Sequence, residues 1–270
     1  MTAPNESSVR AGAPASARLA RTMAVTSGKG GVGKTMVSAN VAAALTRRGQ
    51  RVLVLDADLG LANLDVVLNL HSKVTLHDVF EGKAELESAI VPTSGGFSVL
   101  LAGSGLVEYS RLTNDVREQL LAIVEKMKPR FDVILIDTGA GISDVVLFAV
   151  SLADEVLVVA TPEPTSLTDA YATIKVLATQ QGRRRIKLIV NQVSRPGEGR
   201  AIRGQLQQVV DRFVSPALVD GAPLKLDLIG ELPTDSAVRE AVLKRQLLVE
   251  SIPGCAASKA IGLLADKLLA

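Results

Sequence analysis

The chain has no tryptophan, and aromatic residues make up only 3% of its 270 positions. That scarcity argues against the stacking platforms that hold single-stranded nucleic acid. One cysteine, Cys255, excludes an internal disulfide framework, and no Cys/His grouping has zinc-site spacing. This usage fits a reducing cytosol, with Cys255 a small buried apolar residue and His71 and His77 ordinary surface or packing side chains. An excess of one charge is missing too. The 30 Lys and Arg against 28 Asp and Glu leave +2 at pH 7, so no global field draws in nucleic acid or an acidic substrate. No apolar run approaches the roughly 18 residues needed to span a bilayer. Residues 1–21 are rich in Ala, Ser, Pro and Arg but lack the apolar core of a secretory signal. They read as a flexible leader before a domain over residues 22–270.

What is present begins with Ser27-Gly28-Lys29-Gly30-Gly31-Val32-Gly33-Lys34-Thr35, set between the apolar run Met23-Ala24-Val25 and the start of a helical pattern. Gly28 to Thr35 satisfies the full phosphate-loop pattern G-x-x-x-x-G-K-[ST]. Its glycines let backbone N–H groups turn inward, and the following helix offers its positive dipole end. Lys34 adds a point charge near the β- and γ-phosphates, and Thr35 a hydroxyl that can ligate Mg²⁺. Nucleotide is expected against Gly28, Lys29, Gly30, Gly31, Val32, Gly33, Lys34, Thr35 and Met36. A second stretch, Phe131-Asp132-Val133-Ile134-Leu135-Ile136-Asp137, delivers Asp137 to the end of a buried strand, where an acid holds the Mg²⁺ shell. Thr138-Gly139-Ala140-Gly141 follows as a loop suited to sense the γ-phosphate. Together the two stretches point to an ATPase or GTPase, and the absence of an Asn-Lys-x-Asp guanine motif favours ATP.

Elsewhere, apolar runs and helical periods alternate. Strands are expected over residues 22–26, 51–56, 97–101, 131–137, 155–160, 186–191 and 226–232. Helices are expected over 34–48 with Gly49 as stop, 76–80, 85–90, 112–127, a stretch capped by Thr165 or Ser166 running to about 180, 198–213, up to 243, and 256–269. In the 112–127 helix, Leu120, Leu121 and Val124 are expected to face inward. Ile261, Leu264 and Leu268 form a stripe that reads as packing onto the domain. Arg183-Arg184-Arg185 reads as a solvated basic turn in preference to a nucleic-acid or lipid contact. The predicted class is α/β: a P-loop NTPase with a mainly parallel, seven- to eight-stranded sheet and helices on both faces.

The form Lys29-Gly30-Gly31-Val32-Gly33-Lys34-Thr35 resembles the deviant Walker A motif of the MinD/ParA group of ATPases. The phrase Asp56-Ala57-Asp58-Leu59-Gly60-Leu61-Ala62-Asn63-Leu64-Asp65, followed by Thr75-Leu76-His77-Asp78-Val79-Phe80-Glu81-Gly82, resembles its FlhG/FleN branch. That resemblance covers most of the chain from Met23 onward. It implies that Lys29 reaches the phosphates of a second subunit and that Asp58 orients the attacking water. It also implies that Asp56 supports Mg²⁺ through water or holds the loop. Asp58 as a helix N-cap is the alternative. By the same resemblance Glu163 contacts nucleotide across a dimer, with an exposed turn residue as the alternative. Asn191 would read the base, and Pro233 to Asp235 would border adenine, Asp235 alternatively capping a helix.

The function so implied is a slow, partner-stimulated ATPase using ATP/ADP and Mg²⁺ as a homodimerisation switch. Its partners would be flagellar assembly proteins or a flagellar transcription regulator, and its place the cytoplasm with transient contact at the inner membrane or cell pole. The amphipathic membrane tail of such proteins would begin about where this sequence stops, so membrane contact would require the C-terminal helix itself to detach, and DNA is not an expected partner. The rivals are a MinD-like division-site ATPase, a ParA-like DNA or cargo positioner, and a nucleotide-binding regulator with negligible turnover.

Overall fold

The computed structural model describes residues 19–58, 64–103, 112–218 and 222–270, along which strands and helices alternate. The first half runs β1 (Arg21–Ser27), α1 (Lys34–Thr46), β2 (Val52–Ala57), α2 (Leu64–Leu68), α3 (Leu76–Phe80), α4 (Leu86–Ala89), β3 (Ile90–Pro92), β4 (Ser98–Leu100) and α5 (Asn114–Met127). The second half runs β5 (Val133–Ala140), α6 (Asp144–Ser151), β6 (Glu155–Ala160), α7 (Pro164–Gln181), β7 (Arg185–Val193), α8 (Glu198–Phe213), β8 (Lys225–Pro233), α9 (Ser236–Leu243), α10 (Leu248–Ser251) and α11 (Ala256–Leu269). The described strands form one sheet in the order β3-β4-β2-β5-β1-β6-β7-β8, parallel throughout except for the antiparallel edge pair β3–β4.

Both faces of the central strands are apolar, as a sheet covered on both sides requires. On one face Met23, Val25, Val54, Leu135 and Leu157 pack with Val37, Val41, Leu45, Ile261 and Leu264 of α1 and α11. On the other, Ala24, Leu55, Ile134, Ile136 and Val158 pack with Leu120 and Val124 of α5, Val150 of α6, Ile174 of α7 and Leu206 of α8. The period-two alternation along β1 and β5 sorts neighbouring residues into the two clusters. Helix α1 is buried on nearly every side from Val37 to Leu45, because the sheet lies below it and α11 beside it. Its Asn40 is satisfied there, donating to Met36 O at 2.9 Å and accepting from Val249 N at 3.1 Å.

Several expectations need correction. Leu121 is 49% exposed, and Val116 and Ile123 complete the inner stripe of α5 instead. Neither Thr165 nor Ser166 caps α7. Glu163 occupies the cap position with Pro164 as the first helical residue, while Ser166 Oγ accepts from Thr161 N at 3.0 Å. Cys255 is half-buried and caps α11, its sulfur accepting from Ser258 N at 3.3 Å. The arginine turn is solvated only in part, with the Arg185 side chain 73% exposed and Arg183 held by the fold. Arg183 donates to Val150 O, Ala153 O and Asp154 O at the end of α6, and Arg185 pairs with Asp227 at 2.8 Å. Part of the expected Ala102 to Gly105 turn, from Ser104 on, lies outside the described residues.

Helix α11 is docked along its length. Arg48 binds Asp266 at 2.6 Å and Gly262 O at 2.8 Å, and Arg21 binds Leu268 O at 2.7 Å. Among the described residues no helix is long and apolar enough to cross a membrane. Truncating Ile261, which is fully buried, to Ala should lower stability by about 2–5 kcal/mol in urea unfolding, as expected for a core cavity. A cost below about 1 kcal/mol would mean that α11 does not belong to the core.

Candidate nucleotide-binding site

The loop between β1 and α1 lies near the middle of the sheet, at the carboxyl ends of the strands, where neighbouring parallel strands diverge and ligands are accommodated. Gly33, immediately before α1, has φ +93, a left-handed conformation that disfavours side chains; a Cβ there would also lie 2.5 Å from Asn191 Nδ2. Gly28 is required for a different reason, since a Cβ would stand 2.1 Å from the Asp169 carbonyl oxygen of α7. Lys34 Nζ donates to Ser27 Oγ at 3.0 Å, and Ser27 Oγ donates to Lys29 O at 2.7 Å. Burial pulls the Lys34 ammonium below its usual value, opposed by the charges of Asp137 and Asp58.

Parallel pairing of β2 with β5 sets Asp56 beside Asp137 in register. Both are buried, at 2% and 4% exposure. Ser38 Oγ of α1 donates to Asp137 Oδ1 at 2.8 Å, and the Thr35 hydroxyl also hydrogen-bonds this carboxylate. Even so, burial pushes Asp137 up to about 6, against the pull of Ser38, Thr35 and Lys34. Burial, then the neighbouring Asp137, holds Asp56 well above the usual carboxylate range; the Asp58 N–H, 3.1 Å from Asp56 Oδ1, acts the other way. Asp56 Oδ2 is buried without a hydrogen-bond partner among the described residues. An orphaned buried carboxylate oxygen is costly and marks a place for a cation or donor.

These groups open into a cavity of about 660 Å³ lined by Gly30, Gly31, Lys34, Thr35, Asp56, Asp58 and Asp137, among others. The donor set fits Mg²⁺, which takes hard oxygen ligands and is held by one or two carboxylates together with substrate phosphates. Among the described residues no group of three or more His, Cys, Asp or Glu could hold a metal unaided. Thr35, Asp56 and Asp137 are therefore the residues that would hold the ion alongside nucleotide. A larger hollow of about 930 Å³ lies on the outer edge strand, between α8, β8 and the end of α11. Its charges are mixed and it lacks the buried acids, so the chemistry belongs to the P-loop cavity.

The predicted residues divide into two groups. Gly30, Gly31, Gly33, Lys34, Thr35, Met36, Asp56, Asp58 and Asp137 line the cavity together with Thr138, Gly139 and Ala140. Asp58 sits beside Gly139, where a Cβ would meet its Oδ1 at 3.4 Å. The rest stand behind or beside the cavity. Asn191 donates to Val32 O at 2.8 Å and accepts from Gln192 N at 2.9 Å, so its amide braces the P-loop from β7. Among the described residues one donor and one acceptor site remain on that amide. Asp235 accepts from Ala237 N at 3.0 Å and Ala257 N at 3.1 Å, capping α9 and fixing the start of α11. These backbone donors pull its carboxyl below the usual range. Pro233 ends β8, half-buried. Lys29 Nζ donates to Glu163 at 2.7 Å and to Thr165 Oγ1 at 3.0 Å.

Sequence reasoning missed Ser38, whose signal was a polar residue one helical turn after Lys34 in an otherwise apolar helix. It also missed Ser143, Val145, Val146, Val67 and Val242 on the cavity wall. Ser38→Ala should cost the nucleotide-free chain about 1–3 kcal/mol in urea unfolding, because it removes a partner of a buried acid. Asp56→Asn, which replaces a poorly satisfied carboxyl by a neutral isostere, should leave the nucleotide-free melting temperature within about 4 °C of the parent. Its Mg²⁺-dependent hydrolysis of ATP should fall about 10- to 100-fold.

A family model of ParA type, described as NUBPL iron-transfer P-loop NTPase, matches residues 18–269. The chain is similar to the antiactivator FleN of Pseudomonas aeruginosa, 43% identical over 246 residues covering 91% of this chain and 85% of that protein. It is also similar to the flagellum site-determining protein YlxH of Helicobacter pylori, 34% identical over 250 residues covering 91% and 82%. Among solved structures it is similar to the septum site-determining protein MinD complexed with Mg-ADP from Pyrococcus horikoshii OT3. That likeness has a TM-score of 0.74 and 29% identity, covering 93% of this chain and 96% of that one. With its lysine-bearing P-loop opening onto two buried acids, this chain belongs to the MinD/ParA family of deviant Walker A P-loop ATPases, which use ATP and Mg²⁺.

Proposed function

We propose that this ATPase is a dimerisation switch that positions a protein cargo. The observation that carries the reading is the division of labour between the two P-loop lysines. Lys34 enters the cavity of its own chain, whereas Lys29 stands outside it with Nζ on Glu163 and Thr165. A lysine built into a phosphate loop yet turned from that loop's own cavity is suited to the phosphates of a second copy. The apolar surroundings support this: Val67, Val145 and Val242 line the cavity, and Val66, Ile142 and Leu243 on neighbouring segments are 50%, 46% and 74% exposed. Apolar groups gathered around a polar cleft suit a face that becomes covered.

In the proposed cycle the P-loop N–H groups and Lys34 hold the phosphates, and a second subunit's Lys29 completes the charge around them. Thr35, Asp56 and Asp137 would hold Mg²⁺, which would supply positive charge against the phosphates. Asp58 accepts a hydrogen bond from a water and aims it at the γ-phosphorus. The water oxygen bonds to that phosphorus as its bond to the β-phosphate oxygen breaks, the proton the water loses passes to the released phosphate, ADP leaves, and the dimer separates. Asn191, with Pro233 and Asp235, would border the base from the ends of β7 and β8.

The cargo reading favoured by a specific observation is flagellar. The 43% identity to an antiactivator, FleN, spans nearly the whole domain and exceeds the identity to the archaeal MinD structure. Flagellar assembly proteins or a flagellar transcription regulator are then the partners, with recruitment to a cell pole. Deleting the gene should change the number of flagella per cell. Misplaced septa would favour the division-site reading, and lost cargo or DNA spacing the ParA-like one.

Three variants test the switch. Lys34→Ala should weaken ATP binding about 10- to 100-fold in calorimetry, the cost of removing a charged donor. Lys29→Ala should bind ATP about as well as the parent but hydrolyse it about 10³-fold more slowly, as for a catalytic finger acting in trans. Asp58→Ala should accumulate as a dimer with ATP and Mg²⁺ in sizing experiments; a chain that stays monomeric would contradict the cycle.

A further inference from the structure

Resting on the switch reading, we infer that Glu163 and Thr165 form a latch that holds Lys29 within its own chain and opposes dimerisation. Lys29 Nζ makes two short contacts at once, with Glu163 Oε2 at 2.7 Å and Thr165 Oγ1 at 3.0 Å. A lysine engaged there is not extended toward a second subunit, so the two placements exclude each other.

The receptor is prepared before the lysine arrives. Glu163 is the cap residue of α7, and its side chain makes no capping bond, so the carboxylate is available to Lys29. Pro164 fixes the first helical residue, and the buried Ser166 ties back to Thr161 N. The start of α7 is also fixed relative to the P-loop, because Asp169 and Gly28 approach too closely for any side chain to separate them. Release of Lys29 is therefore a side-chain rotation and needs no movement of the helix.

The latch is weak by construction. The Lys29 and Glu163 side chains are 37% and 60% exposed, and a cation near a helix N-terminus is opposed by the helix dipole. A solvated pair of this kind biases an equilibrium about two- to fivefold. That is small enough for phosphate charge in a second subunit to overcome, yet large enough to hold down the resting dimer. A partner that draws Glu163 or Thr165 away at the α7 start would promote assembly by the same route.

Sedimentation of the full chain with Mg²⁺ and a slowly hydrolysed ATP analogue tests this. Glu163→Ala, which loses no capping bond, should tighten the dimer about two- to fivefold at low salt and less at high salt. Thr165→Val should tighten it to a smaller extent, and circular dichroism should show both variants folded. In a Lys29→Ala background the effect of Glu163→Ala should vanish. An unchanged or weaker dimer in Glu163→Ala, with a normal parent dimer, would overturn the latch and leave the switch standing. No analogue-driven dimer in the parent or in either variant would remove both, whereas a dimer seen only in Glu163→Ala would support the latch.

Discussion

Two carboxylates placed side by side in a dry sheet govern this molecule. Asp56 and Asp137 end neighbouring parallel strands in register, and each strand behind them is apolar on both faces. Water cannot solvate them from below, and each disfavours the other's charge. Ser38, Thr35 and Lys34 relieve Asp137 in part, while one oxygen of Asp56 has no hydrogen-bond partner among the described residues. The nucleotide-free protein thus carries an electrostatic deficit at the place where phosphate and magnesium would supply what is missing.

The surrounding elements protect that arrangement. Asn191 braces the P-loop from β7, α7 presses on Gly28, and Asp235 ties together the starts of α9 and α11. Side chains that a family pattern assigns to nucleotide thus also have work in the fold. The contacts that hold the P-loop are continuous with α7 and β7. This is the kind of coupling a switch requires, in which a ligand shifts an equilibrium only by its differential contacts.

Local pattern made much of this legible. The phosphate loop, the acids ending β2 and β5, and the helices at 198–213 and 256–269 all follow from residue spacing within short windows. What was illegible depends on strand order. Lys29 meets Glu163 only because β6 lies beside β1, and Ser38 meets Asp137 only because α1 crosses over β5. Asn191 reaches Val32 because β7 lies next but one to β1. Leu121 was misplaced because apolarity alone does not tell the inner stripe of a helix from its flank. The cap of α7 was misplaced because Pro164 starts the helix before the first hydroxyl side chain.

The central claim is that the site is electrostatically unfinished without its ligands, and thermal unfolding measures this directly. With ATP at about 100 times its dissociation constant, Mg²⁺ present, the folded state should gain about 2.7 kcal/mol, raising the melting temperature by about 5–11 °C. The same ATP with a chelator should give only a small part of that gain. Equal stabilisation with and without Mg²⁺, or none in either case, would contradict the account.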